Sequence, residues 1–402
     1  MRNFIIPRTR QLTALFSLLA LTMFLAFCSK SRQGPERIIQ NGVEIVVNET
    51  EPYASQNGAY SVSPHEEFRI DLADEMYAKL GLSDIWNIDI NSRRQIFLFC
   101  RPTGDSPLVF KFDESGRFLG SFLRCGQGPG EVQYPRYEGV TTRSEILIFD
   151  TGRSELFFFD EEGSLLRAID FPTDLHPIGR PDIVPLENGN YLIQYWRLGP
   201  ELEIHGLVVG VFDPNFKKVK DLVEYALPDS PEKIANPFVT FPLSGHSLDA
   251  IYIGFINKDT EVSVYDLKGE LKRVIRKRSS PVEIPPEFER DLLKRLPENH
   301  ALRKNLKLPR YFPASQYLFA DDVGHLFVAT YEKDNVTGQN ICDVYAPDGA
   351  FIERVPLGYF DILKWWWLGQ SRDVVARIGR MLCIREKEDG FREIIVYSLR
   401  WT

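Results

Sequence analysis

The feature that most constrains this chain is a strand–turn–strand phrase that returns along its length. It is clearest at Val109-Phe110-Lys111-Phe112-Asp113-Glu114-Ser115-Gly116-Arg117-Phe118-Leu119. Apolar residues alternate up to an aromatic, Asp-x-x-Gly supplies a tight turn, and a second strand follows, which reads as a hairpin. The aromatic–Asp ending returns at Phe159-Asp160, Phe212-Asp213 and Tyr265-Asp266, and in altered form at Tyr345-Ala346-Pro347-Asp348-Gly349. Ile394-Ile395-Val396-Tyr397-Ser398 is a further copy without the turn.

Ten to twenty residues ahead of each copy lies a run that reads as buried. These runs begin at Ile96, Ile146, Tyr191, Ile251, Leu326 and Met381, with spacings of 50, 45, 60, 75 and 55 residues that average 57. Two alternating strand phrases per unit, with turns between and almost no helical periodicity, predict antiparallel four-stranded sheets in series. That is the signature of a β-propeller. The fold class is therefore all-β, a six-bladed propeller of four-stranded antiparallel blades. The sixth unit lacks an outer strand after Trp401, and an N-terminal strand is expected to close the ring, with Gly42–Asn48 as the candidate. Closure removes the free edges that invite aggregation.

Two stretches break the period. Residues 228–247 are rich in proline and irregular. Residues 285–308 read as a helical insertion between blades four and five, because Pro285-Pro286-Glu287 suits a helix start and Phe288, Leu292 and Leu296 share a face. This insertion is expected to pack on the propeller side or to offer a partner surface.

The N-terminus reads as an export signal over residues 1–27. Arg2, Arg8 and Arg10 precede an apolar run from Leu12 to Phe27, too short for an ordinary membrane span, and Cys28 follows. Leu25-Ala26-Phe27-Cys28 resembles the bacterial lipobox, which makes Cys28 the lipid attachment residue, residues 28–36 a tethered linker and residues 37–402 the propeller. Phe27 stands where that pattern has a small residue, so an uncleaved N-terminal anchor is the alternative. Either reading places the chain in the cell envelope. Ser29 resembles the outer-membrane-directed type, with the periplasmic or surface face left open. Cys100 and Cys383 lie inside apolar strand runs and are expected to be free buried thiols. The net charge of −8 argues against a nucleic-acid partner.

Asp321 to Val328 resembles the strand opening of NHL-type six-bladed propellers. The repeated Phe-Asp-x-x-Gly hairpin, the single Gly126-Gln127-Gly128-Pro129-Gly130-Glu131 loop and the lipoprotein-like start extend that likeness. The chain resembles the exported six-bladed propeller lipoproteins of Bacteroidetes-type bacteria over about residues 37–402. The resemblance implies the fold and a cell-envelope location, and implies little about activity.

A propeller binds at the ends of its central channel, and fold alone does not give function. Polar and aromatic residues expected near the starts of the innermost strands are Trp86, Asp89, Arg136, Tyr137, Arg180, Asp182, His246 and Tyr317. Arginines among aromatics suit a carboxylate or an anionic sugar. Each of them also suits a plain wall position. Gln127 and Glu131 belong to the Gly-Pro-Gly loop, which reads first as a rigid connector clamped by Glu131 and second as a ligand contact. Trp365-Trp366-Trp367 suits packing between blades five and six, or stacking on a sugar or a membrane interface. The six histidines show no paired metal-ligand spacing, and no Gly-x-Ser-x-Gly elbow occurs. The expectation is a non-catalytic module that needs no cofactor or metal and binds a protein, carbohydrate or peptide at the channel mouth. The alternative is an NHL-like lyase or lactonase with a metal in the channel.

Overall fold

Each repeat folds as one antiparallel blade, and the Asp at its turn explains why the phrase is kept. In the first blade the Asp113 carboxylate accepts the amides of Ser115 at 3.0 Å and Arg117 at 2.9 Å, and the Ser115 hydroxyl at 2.7 Å. These bonds hold its carboxyl down at about 2. Gly116 takes the left-handed φ of +82° that the turn requires. Asp160, Asp213 and Asp266 accept the amides two and four residues on in the same way. Pairing of the outer strands shifts register beside the aromatic that precedes each turn. Such bulges add local twist.

The computed structural model describes residues 34–53, 61–82, 84–101, 104–128, 130–175, 181–199, 204–226, 238, 243–255, 259–296, 298, 303, 306–358, 373–387 and 389–401. Three strands precede the repeats: β1 (Glu36–Gln40), β2 (Val43–Asn48) and β3 (Val62–Asp71). Blade one is β4 (Ile85–Ile90), β5 (Ile96–Cys100), β6 (Val109–Phe112) and β7 (Phe118–Phe122). Blade two is β8 (Pro135–Val140), β9 (Ile146–Asp150), β10 (Glu155–Phe159) and β11 (Leu165–Asp170). Blade three is β12 (Asp182–Pro185), β13 (Tyr191–Leu198), β14 (Ile204–Phe212) and β15 (Lys218–Ala226). Blade four is β16 (Leu243–His246), β17 (Ala250–Gly254), β18 (Thr260–Asp266) and β19 (Leu271–Lys277). Blade five is β20 (Tyr317–Ala320), β21 (Leu326–Lys333), β22 (Asn340–Tyr345) and β23 (Phe351–Pro356). Blade six is β24 (Val374–Arg377), β25 (Arg380–Glu386), β26 (Arg392–Trp401) and, from the other end of the chain, β3.

The core is layered between blades. Ile96 and Leu98 of β5 pack toward blade six, whereas Phe97 and Phe99 pack toward blade two. Side chains alternate along a strand, so a strand covered on both faces reads as a continuous apolar run. The same division repeats around the ring, one apolar layer per blade junction. Each fully buried Phe, such as Phe110 or Phe159, contributes about 1.5–3 kcal/mol.

An N-terminal strand does close the ring, but it is not Gly42–Asn48. β3 pairs antiparallel with β26, from Val62 opposite Trp401 to Asp71 opposite Glu393. Gly116 meets this closing strand, since a Cβ there would lie 2.5 Å from the Phe68 ring. Val43–Asn48 instead pairs in parallel with β19, and β1 lies outside it, so blade four becomes a six-stranded sheet. The chain then crosses to blade five, where the Asn48 side chain accepts the Phe351 amide at 2.8 Å and the Tyr53 amide donates to the Phe351 carbonyl at 3.0 Å. The N-terminal segment thus straps the outsides of blades four and five before completing blade six.

The expected helical insertion is present as helix Pro286–Arg295. Its base is a pair of short extended segments, with the Ile284 amide on the Arg310 carbonyl at 3.0 Å and the Phe312 amide on the Val282 carbonyl at 2.9 Å. Leu292 and Leu296 form a small core of their own with Phe288, Leu306 and Leu308. Phe288 stands edge-on to Phe312, which stacks on Tyr331 of blade five. The stretch 228–247, expected to be irregular, contains an innermost strand at its end, Leu243–His246. Cys100, Cys342 and Cys383 are buried and Cys125 is half-buried, and among the described residues these four form no disulfide.

Candidate functional site

The innermost strands β4, β8, β12, β16, β20 and β24 run in one sense around the channel, so the ring has two unlike faces. Where they end, each turns into its neighbour through a few residues: Asn91–Gln95, Thr141–Glu145, Leu186–Asn190, Ser247–Asp249, Asp321–His325 and Ile378–Gly379. This is the turn face. Where they begin, the chain arrives through long connections, residues 72–84, 123–134, 171–181, 227–242, 278–316 and 357–373. This is the loop face. Long connections on a rigid scaffold are where binding residues concentrate.

On the loop-face side, Arg136 of β8 and Asp182 of β12 come together across the junction of blades two and three. The Arg136 guanidinium lies 3.3 Å from Glu138 and 3.8 Å from Asp182. Glu138 also accepts the Ile183 amide at 2.9 Å, so its carboxylate ties blade two to blade three. Trp86 is the second residue of β4 and is half-buried, with the Arg101 guanidinium 4.9 Å above its ring. Arg101 is itself held by Asp84 at 3.4 Å. The Trp86 indole N–H has no hydrogen-bond partner among the described residues. Tyr317 begins β20, but its ring is buried in the layer between blades five and six.

Two of the expected residues lie at the opposite end. Asp89 sits next to the end of β4 and His246 ends β16, so both belong to the turn face. Asp89 is fully buried. Its carboxylate accepts the Tyr137 hydroxyl at 2.9 Å and the Val140 amide at 2.8 Å, and faces Arg377 at 3.5 Å. Arg377 also donates to the Val140 carbonyl at 2.9 Å. This cluster joins blades six, one and two. Beside it the Asp322 carboxylate of blade five accepts the Ile378 amide at 2.6 Å. Burial raises the Asp322 carboxyl above its ordinary range; the Ile378 amide and Arg377 act against that rise, and Asp321 and Asp89 add to it.

Sequence reasoning missed Glu138, Arg377 and Asp322. Glu138 was within reach of it, because a residue two places from Arg136 on a strand shares its face. Arg377 and Asp322 act through pairings between blades distant in sequence, which no local pattern marks.

The Gly126–Glu131 loop is clamped from within. Glu131 accepts the Gly128 amide at 2.8 Å, and a Cβ on Gly126 would fall 1.9 Å from a Glu131 carboxylate oxygen. The glycines allow the carboxylate to lie against the backbone. The Gly126 amide donates to the Val132 carbonyl at 3.0 Å and closes the loop. Gln127 is exposed at its tip. Cys28, Pro129, Arg180 and Trp365-Trp366-Trp367 lie outside the described residues. Among the described residues no group of three or more His, Cys, Asp and Glu side chains is placed to hold a metal ion.

No protein-family model matches the sequence. No curated protein matches it either. Solved structures of similar architecture include an exported protein from Bacteroides fragilis, 11% identical, covering 89% of this chain and 99% of that one at a TM-score of 0.48. A member of the DUF4221 family from Bacteroides vulgatus is 12% identical and covers 85% of this chain and 99% of its own, also at 0.48. A gluconolactonase from Xanthomonas campestris is 11% identical over 92% of this chain and 99% of its own, at 0.39. At these identities and scores no chemistry passes from them to this chain.

Proposed function

We propose that this chain is an exported, lipid-tethered propeller that binds a carbohydrate or peptide ligand on its loop face and does not turn it over. One observation carries the reading: three carboxylates of the innermost strands and their turns, Asp89, Glu138 and Asp322, are engaged between blades. Asp89 accepts from Tyr137 and Val140, Glu138 from Ile183, and Asp322 from Ile378. A general base or metal ligand needs an oxygen directed at the reacting molecule. These oxygens are directed at backbone amides, the Tyr137 hydroxyl and the Arg136 and Arg377 guanidinium groups. Trp86, Arg136 and Asp182 supply the loop face with a flat aromatic and both charges, a set suited to a saccharide or peptide that bears a carboxylate. The basic start, the apolar run to Phe27 and Cys28 support export and tethering.

The test is an assay of the purified protein on lactone and saccharide panels with calcium or zinc supplied, beside a glycan and peptide array. Array binding that falls in Trp86→Ala and Arg136→Ala variants, without multiple turnover, is the expected result. Metal-dependent turnover lost in Asp89→Asn would overturn it. In the same preparation, metabolic labelling with a fatty acid should mark the wild-type chain and leave Cys28→Ser unlabelled.

A further inference from the structure

The outermost strand of blade four is an open sheet edge, and its position relative to the tether gives it a partner. β1 pairs with β2 in unbroken antiparallel register from Glu36–Val47 to Gln40–Val43. Among the described residues its other side pairs with nothing, and all five of its residues are exposed. Ile38 is 44% and Ile39 71% exposed. Folded proteins ordinarily blunt such edges with proline, lysine, a bulge or a covering segment. Glu36–Gln40 contains no proline, lysine or bulge, its charged residues are Glu36 and Arg37, and among the described residues no strand lies outside it. It is also held firmly in place. Arg37 bonds Glu44 at 2.7 Å and Asp348 of the blade-five turn at 2.5 Å, and Arg273 of β19 bonds the same Glu44 at 2.6 Å.

We propose that β1 pairs antiparallel with β1 of a second copy of this chain on the same membrane, joining two propellers through their fourth blades. A two-fold axis normal to the sheet relates the copies, so each residue must meet one of its own face. The register centred on Ile38 pairs all five residues. Ile38 meets Ile38, Arg37 lays its aliphatic stem along Ile39, and Glu36 faces Gln40. No like charges stand opposite one another. Centring the pair on Arg37 would oppose two arginines.

The tether determines where this pairing operates. A five-residue ladder falls well short of the ~1,200 Å² that a stable soluble dimer buries. Only the linker from Cys28 to Glu36 separates edge and membrane, a reach of at most about 29 Å. Confinement to one surface supplies the effective concentration that a small interface needs. The proposal therefore rests on the tethering part of the function proposed above, and on no part of its ligand reading.

The experiment uses the full chain expressed in a Gram-negative host, fractionated and then oxidised with copper phenanthroline. Ile38→Cys is compared with Leu165→Cys, an exposed position on the outer strand of blade two. The expected result is a disulfide-linked dimer from Ile38→Cys in the membrane fraction, far above the Leu165→Cys level. Adding Glu36→Lys and Gln40→Lys sets like charges opposite at both ends and lowers the yield at least about five-fold, as the loss of two cross-strand pairs requires. Adding Glu36→Lys and Gln40→Glu restores it. Thermal midpoints equal to that of the parent show that these variants fold. Equal cross-linking at Ile38 and Leu165, or a yield indifferent to the lysine pair, would overturn the proposal. A chain absent from the membrane fraction refutes the tether instead, and in that case cross-linking of the concentrated soluble fraction decides the pairing.

Discussion

Asp322 and Ile378 are joined by a 2.6 Å hydrogen bond from the amide of a residue held in a left-handed conformation. Ile378 has a φ of +56°, in a two-residue turn completed by Gly379 at +69°. Asn-Gly is the favoured pair for such a turn, and a β-branched residue there is strained. The strain supports a junction: Arg377, one residue earlier, reaches Asp89 and the Val140 carbonyl. Ile378→Asn is expected to stabilise the protein by about 1 kcal/mol through relief of that conformation. Equilibrium denaturation in urea measures it, and a loss of stability would show that the Ile378 side chain contributes more by packing than its backbone costs.

The same pair makes a prediction in pH. The Asp322 carboxyl is raised, chiefly by burial. A carboxyl whose folded value exceeds its unfolded value binds its proton more readily in the folded protein. Its contribution therefore favours folding as pH falls toward the ordinary carboxyl range near 4, and is lost as pH rises through the raised value. Asp322→Asn keeps an oxygen for the Ile378 amide and removes the titration. The difference between variant and wild-type thermal midpoints should move in the variant's favour from about pH 4 to about pH 7. A difference that stays constant with pH would rule this out.

The Gly126–Glu131 loop predicts non-additivity. Glu131→Ala removes the Gly128 acceptor, and Gly126→Ala pushes the carboxylate away from it. Each should cost roughly 1 kcal/mol, the net value of one such bond. The double variant should cost little more than either single one, because both remove one interaction. Simple addition of the two losses in a denaturation cycle would contradict the clamp.

Between blades four and five, Lys277 and Asp343 form a buried pair at 2.8 Å, with side chains 5% and 1% exposed. Arg354 shares Asp343 at 3.0 Å. Lys277→Met should cost about 3 kcal/mol, near the lower end for breaking a buried pair, because Arg354 still faces the carboxylate. Pairing Lys277→Met with Asp343→Leu should leave Arg354 without that acceptor but recover part of the loss. Chemical denaturation of the wild type and the two variants is the measurement.

The blades were legible because the physics that makes them is local. An Asp that collects two amides recurs at the outer hairpins of blades one to four, with glycine at positive φ in three of them and Phe216 in blade three, and strands covered on both faces must be apolar throughout. The closing strand was misassigned for a related reason. Val62-Ser63-Pro64-His65-Glu66-Glu67-Phe68-Arg69-Ile70-Asp71 forms an outer strand in which only Val62 and Ile70 are buried, so its pattern is weak. Val43–Asn48 reads as the better strand because two neighbours flank it and blade five covers it. Of the residues expected near the innermost-strand starts, Trp86, Arg136 and Asp182 do lie near the starts of β4, β8 and β12. Asp89 and His246 lie instead at the far ends of β4 and β16, because an apolar run marks a strand without fixing where it starts and stops.

Ring closure by β3 also sets an order in time. Val62 pairs with Trp401, so the sixth blade cannot assemble until nearly the whole chain is available. In the export proposed above, a polypeptide crossing the membrane from its N-terminus presents β3 well before β26. Contacts so far apart in sequence are slow to form, and chains that wait for them expose unpaired strands. Blades one to three contain all of their own strands and can assemble during transit. The waiting segment is the polar strand from Val62 to Asp71, whose many exposed charged residues suit it to remain soluble and unpaired until its partner arrives.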